Sequence, residues 1–197
     1  MTTSTTPTDD RSTDAGPHVV FLTAAKGVER SELTGPWEAL RAAGVRTSLA
    51  TPDGATVATV EGDLEPAGDV PADLALADVD AADVDLLVLP GGTVNADTLR
   101  LEADAVALVR AVAASGAPVA AICHAPWLLV ESDLVRGKDV TSYPSLRTDV
   151  TNAGGTWHDD APVVCRKGGR TLVTARNPDD VPAFSAAILE LLGHRDA

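Results

Sequence analysis

Apolar positions along this chain fall into short continuous runs separated by stretches with a helical repeat. Residues 18–23 (HVVFLT), 45–50, 85–89 (DLLVL) and 119–122 (VAAI) read as buried strands. Over residues 31–43, Leu33, Trp37 and Leu40 recur at helical spacing and Gly44 marks the stop. Pro36 falls near the first turns of that helix, where proline is tolerated, with or without a local kink. Residues 102–115 put Val106, Val109, Val112 and Ala113 on one face, and residues 144–153 turn Leu146, Val150 and Ala153 inward. Asn177-Pro178-Asp179-Asp180 supplies a cap, a proline at the first helical position and two acids in the first turn. A last helix follows, with Val181, Phe184, Ile188 and Leu191 as its buried stripe.

Weaker signals fill the gaps. Residues 138–141 suggest a strand, and residues 163–165 and 171–174 flank a hairpin turn at Lys167-Gly168-Gly169-Arg170. Residues 24–30 read as a loop and 56–60 as a short edge strand. Residues 61–85 hold nine acidic residues and no basic one, which predicts a solvated connection. They lack the pattern of a calcium loop. Strands alternating with helices predict an α/β fold with a mainly parallel sheet, in a single domain over residues 18–194. Residues 1–17, rich in Thr, Ser, Asp and Pro, predict a disordered tail.

Composition narrows the picture. Hydrophobic residues make up 45% of the chain but aromatics only 3%, so the core is expected to be Val, Leu and Ala, as in a covered parallel sheet. A net charge of −14 argues against nucleic acid and anionic membrane surfaces as partners. The two cysteines, Cys123 and Cys165, both sit in apolar runs, unlike a secreted disulfide framework. No run approaches the ~18–20 apolar residues of a membrane span, and the first residues lack a signal peptide's apolar segment. A cytoplasmic location is the expectation.

The candidate chemistry centres on residues 118–129 (PVAAICHAPWLL). A buried strand stops at Cys123-His124, and a helix starts near Pro126. A thiol at such a turn lies by a helix N-terminus, which favours the thiolate, in the manner of a nucleophile elbow. A buried structural cysteine is the alternative. In a parallel sheet, ligands bind beyond the carboxyl ends of the strands. Glu29, Pro90-Gly91-Gly92 and Cys123 all fall there. Glu29 is the candidate thiol partner, acting as a neutral donor and proton shuttle, or else an ordinary loop carboxylate. Backbone N–H groups around Gly91, Gly92 and His124 are candidates for an oxyanion site. Asp97 is one candidate acid for His124, and Trp127 belongs either to the pocket wall or to the core. His158-Asp159-Asp160 is a poor metal site with its single histidine, and no metal or organic cofactor is expected. No Gly-x-Ser-x-Gly, Gly-x-Gly-x-x-Gly or phosphate-binding loop is found.

Several of these motifs, in this order, resemble the DJ-1/PfpI superfamily. They are Gly27-Val28-Glu29, Leu87-Val88-Leu89-Pro90-Gly91-Gly92 and Ala121-Ile122-Cys123-His124-Ala125-Pro126. Arg136-Gly137-Lys138, Thr141-Ser142-Tyr143-Pro144, Asn152-Ala153-Gly154 and Asn177-Pro178-Asp179-Asp180 resemble its PfpI branch. The resemblance implies a flavodoxin-like three-layer α/β/α sandwich and a homo-oligomer, a dimer or a higher assembly. It also implies Cys123 as nucleophile, Glu29 as its glutamate and His124 as the site histidine. An acid from a neighbouring subunit completes the set in protease-like members, where Asp97 is the nearest match. Ala125 stands where glycine is more frequent and narrows the pocket. The implied activity is a cysteine hydrolase of small carbonyl substrates, glycated proteins or peptides, of glyoxalase, deglycase or intracellular protease type, in stress protection. The alternative is a non-enzymatic redox-sensing or chaperone protein using the same thiol. The related glutamine amidotransferases need a late His-x-Glu that this chain lacks.

Overall fold

The computed structural model describes residues 16–193. The expected tail therefore falls outside the described residues except for Gly16 and Pro17, as does His194 at the other domain boundary. The central sheet has seven strands: β1 (His18–Leu22), β3 (Arg46–Thr51), β6 (Leu74–Ala75), β7 (Leu86–Leu89), β8 (Val119–Ile122), β11 (Val163–Cys165) and β12 (Leu172–Ala175). Their order is β11-β12-β8-β7-β1-β3-β6. Every neighbouring pair is parallel except β11 with β12, the hairpin expected around Lys167–Gly169.

Alternate side chains feed two separate cores. Val19 and Phe21 of β1, Leu86 and Val88 of β7 and Ile122 of β8 face α1 (Arg30–Ala42) and α6 (Val181–Gly193). Val20, Leu22, Leu87, Leu89 and Ala121 face the other way, toward α3 (Ala103–Ala114), α4 (Pro126–Glu131) and α5 (Arg147–Asn152). The result is the three-layer α/β/α sandwich. Strands buried on both faces explain the unbroken apolar runs. Leu33, Leu40, Phe184 and Ile188 are fully buried at the α1–α6 face, each contributing roughly 1.5–3 kcal/mol. Gly35 lets those helices approach closely, since a Cβ there would lie 2.6 Å from Val181 Cγ1.

Three local expectations need correction. Residues 24–30 are not all loop: β2 (Lys26–Glu29) pairs with β4 (Val57–Glu61), which also pairs with β5 (Glu65–Val70). The strand expected at an edge is therefore the middle of a second, three-stranded sheet ordered β2-β4-β5. Its alternation is legible in Val57 and Thr59, both buried, but β2 is too short and too polar to announce itself. The acidic stretch contributes β5, β6 and two 3₁₀ turns instead of a plain connection, and the strand expected over residues 138–141 is β9 (Asp139–Val140), paired in parallel with β10 (Thr156–Trp157) apart from the central sheet. A short helix, α2 (Thr93–Leu99), follows Gly92 without any strong apolar repeat to predict it. Among the described residues, no helix is long and apolar enough to cross a membrane.

The topology locates the site. From β1 the chain winds outward through β3 to β6. It then returns to the other side of β1 with β7 and continues to β8 and β12. The reversal lies between β1 and β7, and a crevice opens at the carboxyl ends of strands at such a point. Gly91-Gly92 and Cys123 follow β7 and β8 directly.

Candidate active site

Only three residues separate the end of β8 from the start of α4. Cys123 carries the reversal, with φ +63. That left-handed conformation costs a non-glycine residue on the order of 1–2 kcal/mol. The surroundings hold it there. Cys123 N–H donates to Ala175 O at 3.0 Å, and Cys123 O accepts from Tyr143 N–H at 2.8 Å. Ala125 N–H donates to Ile122 O at 3.0 Å and closes the turn, with Ala125 buried beneath it.

The carboxyl against the thiol belongs to Glu32, in the first turn of α1, and not to Glu29. Glu32 is fully buried and shares the inward face of α1 with Leu33, Pro36 and Leu40. Gly91 sits between the two groups. A Cβ there would lie 2.6 Å from Cys123 Cβ and closer still to Glu32 Oε2. No complete hydrogen bond from the described residues reaches either Glu32 oxygen; the groups facing them are the Cys123 thiol and Gly91 N–H. Burial pushes the Glu32 carboxyl up to about 8, the thiol opposes this, and the nearby Glu29 carboxylate adds to it. Glu32 therefore keeps its proton at neutral pH.

Burial also pushes the Cys123 thiol up, with Glu32 adding to the rise and Gly92 N–H opposing it. The expected depression of the thiol by the following helix does not prevail. α4 is only six residues long, and Cys123 is 5% exposed, so desolvation outweighs the dipole. The thiol and Glu32 are coupled, and a protonated Glu32 removes its own repulsion of a thiolate while offering it an O–H donor.

His124 lies on the other side of the sulfur, with Nδ1 3.2 Å from Cys123 Sγ. Sequence neighbours on a sharp turn need not meet in this way, but here they do. The imidazole stacks on Tyr143 at 4.6 Å and lies 5.4 Å from the Trp127 ring. Trp127 thus stands beside His124, anchored by its Nε1–H to Asp149 Oδ2 at 2.9 Å. Burial lowers the His124 pKa, and Asp63 opposes the fall.

The remaining candidates separate. Glu29 Oε2 accepts Asp63 N–H at 3.1 Å, which pins the β4–β5 turn. The spacing Gly-Val-Glu had pointed to the end of β2, whereas the side chain that enters the site comes one helical turn later. Its available signal was a carboxylate on the apolar stripe 32/33/36/40 of α1. Asp97 is exposed on α2, and its neighbour Asn95 is the buried polar residue there, bonded to Pro90 O, Gly91 O and Ala24 N–H. Gly92 takes φ +97, and a Cβ added there would collide with Gly27 O, so no side chain fits. Cys165 is buried and its Sγ accepts Asp139 N–H at 3.4 Å. His158 pairs with Asp139, and Asp159 with Arg176.

The chain is similar to known proteins over nearly its whole length. The profile of the DJ-1/PfpI family matches residues 17–191. A Bacillus subtilis protein named putative cysteine protease YraA is 42% identical over 61% of this chain and 68% of its own. Escherichia coli protein/nucleic acid deglycase 2 is 39% identical over 84% of this chain and 92% of its own. Among solved structures, a two-domain Anabaena variabilis protein with DJ-1/ThiJ/PfpI-like and ferritin-like domains superposes with a TM-score of 0.80 at 32% identity. That match covers 90% of this chain and spans about half of the other, 48%.

Proposed function

The chain belongs to the DJ-1/PfpI family, and from that premise we propose that it is a cysteine-dependent hydrolase of reactive carbonyls, 2-oxoaldehydes and their adducts. One observation carries the reading: a positive-φ cysteine set against a fully buried carboxyl. Cys123 Sγ adds to the aldehyde carbon. The C–S bond forms, the carbonyl π pair moves to oxygen, that oxygen takes up the Glu32 proton, and the thiol proton passes to His124, which leaves Glu32 as a carboxylate. Glu32 and His124 flank the sulfur for these two transfers. The Glu32 carboxylate takes the hydrogen on the former aldehyde carbon as a proton and returns it to the adjacent carbonyl carbon, while the adduct's hydroxyl proton moves to that carbonyl's oxygen. This leaves a thioester, which water cleaves to a 2-hydroxy acid and the free thiol, and the proton held by His124 returns to Glu32. Of the expected backbone donors, Gly91 N–H faces Glu32 and Gly92 N–H faces the sulfur. The His124 N–H is assigned to the oxyanion. Cys123 and His124 are each 5% exposed, which favours a small aldehyde over an extended peptide.

The test is steady-state turnover of methylglyoxal, a glycated amino acid and a fluorogenic peptide. The wild type is expected to form lactate from methylglyoxal. Cys123→Ser should lose this activity by at least ~10³-fold and Glu32→Gln by ~10²-fold or more. Glu29→Gln should stay within about fivefold, since its amide oxygen still accepts Asp63 N–H. Peptide cleavage without aldehyde turnover would sink the reading. Stoichiometric scavenging with no turnover would favour the redox-sensing or chaperone alternative.

A further inference from the structure

We propose that Asp63 is the acid that orients His124 and holds its charged form, acting through the Thr93 hydroxyl within one subunit. The inference rests on the reading of Cys123 and His124 as the reacting pair.

Asp63 sits at the tip of the β4–β5 hairpin with φ +64, directly after Gly62 at φ +60. A non-glycine residue in that conformation needs outside support. Two contacts supply it, both from the active-site side. Asp63 N–H donates to Glu29 Oε2 at 3.1 Å, and Asp63 Oδ1 accepts Thr93 N–H at 2.7 Å. The hairpin tip is thereby fastened to the end of β2 and to the start of α2.

The second carboxylate oxygen continues the chain of contacts. Thr93 Oγ1–H donates to Asp63 Oδ2 at 3.0 Å. The same hydroxyl lies 3.4 Å from each His124 ring nitrogen. With its proton committed to the carboxylate, Thr93 Oγ1 presents lone pairs to the imidazole and accepts from it. Contacts of this length are loose and tighten in a Michaelis complex. The line therefore runs from Asp63 carboxylate to Thr93 hydroxyl to His124 to Cys123 Sγ. When the thiol proton moves to His124 Nδ1, the imidazolium gains an acceptor and a negative charge behind it. Thr93 keeps its proton, so along this line only the thiol proton moves.

The groups facing His124 from the other elements do not replace this acid. Cys123 lies on its own turn, Tyr143 stacks on the ring, and Ser145 Oγ is 3.5 Å from Nε2. Trp127 borders it, and behind that ring lie Arg100, itself cationic, and Asp149, committed to Trp127 Nε1–H. Glu32 faces the far side of the sulfur and is neutral near pH 7. Asp63 is the carboxylate that raises the His124 pKa against burial. Glu29 gains a role as well: it positions the residue that positions His124.

The test follows the imidazole directly and needs no turnover, so it stays informative even if methylglyoxal is not a substrate. ¹⁵N-histidine spectra of the full chain are titrated from pH 4.5 to 9, and His124 is identified by His124→Gln. Asp63→Asn should lower the His124 midpoint by about half a unit or more. It should also slow iodoacetamide alkylation of Cys123 at pH 7 by roughly tenfold. Thr93→Val should reproduce the slower alkylation, while Thr93→Ser, which restores the hydroxyl, should behave as wild type. An unchanged His124 midpoint in folded Asp63→Asn would overturn the proposal. So would a shift produced by Asp97→Asn and not by Asp63→Asn, which would assign the acid to α2 instead. If Asp63→Asn does not fold, the Thr93→Val and Thr93→Ser pair decides alone: equal alkylation rates in the two overturn the link.

Discussion

At the scale of single residues, the defining feature is a carboxyl kept neutral beside a thiol. Among the described residues Glu32 has no cationic partner, and its raised pKa makes it a group that costs stability as pH rises. The sign follows from linkage. In the unfolded chain a Glu titrates near 4.5, whereas in the folded protein Glu32 holds its proton to about 8. Between those values the folded state binds the extra proton, so folding stability falls as pH rises through this window. The loss from pH 5 to pH 8 is on the order of 3–4 kcal/mol. Glu32→Gln keeps the shape and removes the titration. Denaturant unfolding should show the variant close to wild type at pH 5 and more stable by a few kcal/mol at pH 8. A constant difference across that range would mean that Glu32 is already ionised in the folded protein.

At the scale of elements, the turn at Cys123 is a strained joint between two rigid pieces. β8 is locked between β7 and β12, α4 starts at Pro126, and Cys123 absorbs the mismatch at φ +63. Replacing Cys123 by alanine leaves the strain, whereas glycine adopts the same φ freely. Cys123→Gly is expected to be more stable than Cys123→Ala by ~1 kcal/mol, read as the difference in midpoint at equal slope in urea. The reverse order would mean that the turn is unstrained. The joint was legible because an apolar run, Cys-His and then proline leave room for only one arrangement. The buried strands β1, β7 and β8 were legible for a related reason, since burial on both faces writes an unbroken apolar run. β2 and α2 were not, being short segments held by tertiary pairing more than by their own pattern. Glu32 escaped notice because a helix places it by rotation and not by proximity in sequence to the loop motif. Asp63 left no local signal at all. Its importance arises when a hairpin from one sheet reaches the start of a helix on another.

At the scale of the whole molecule, 29 acidic residues face 15 basic ones, leaving a net charge of −14. Nine of the acids fall in residues 61–85, which carry no base and form the β4–β5 turn, β5, β6 and the 3₁₀ turns before β7. Self-repulsion of that kind favours the expanded unfolded chain, where the same charges lie farther apart. Screening acts on it directly. The Debye length shrinks from about 30 Å at 0.01 M salt to about 8 Å at 0.15 M, shorter than the molecule is wide. Raising NaCl from 10 to 300 mM at pH 7.5 is therefore expected to raise Tm by several degrees, about 2–4 °C for each kcal/mol recovered in a domain of this size. Near the calculated pI of about 4.4, positive and negative charges balance and the repulsion disappears. The same salt step should then leave Tm nearly unchanged, although Tm itself is higher there by the Glu32 argument. The two effects separate cleanly, because Glu32 is buried beyond the reach of mobile ions and its contribution follows pH at any salt concentration. An equal rise in Tm at both pH values would instead identify a general salting effect on apolar burial, and would remove charge repulsion from the account of this fold's stability.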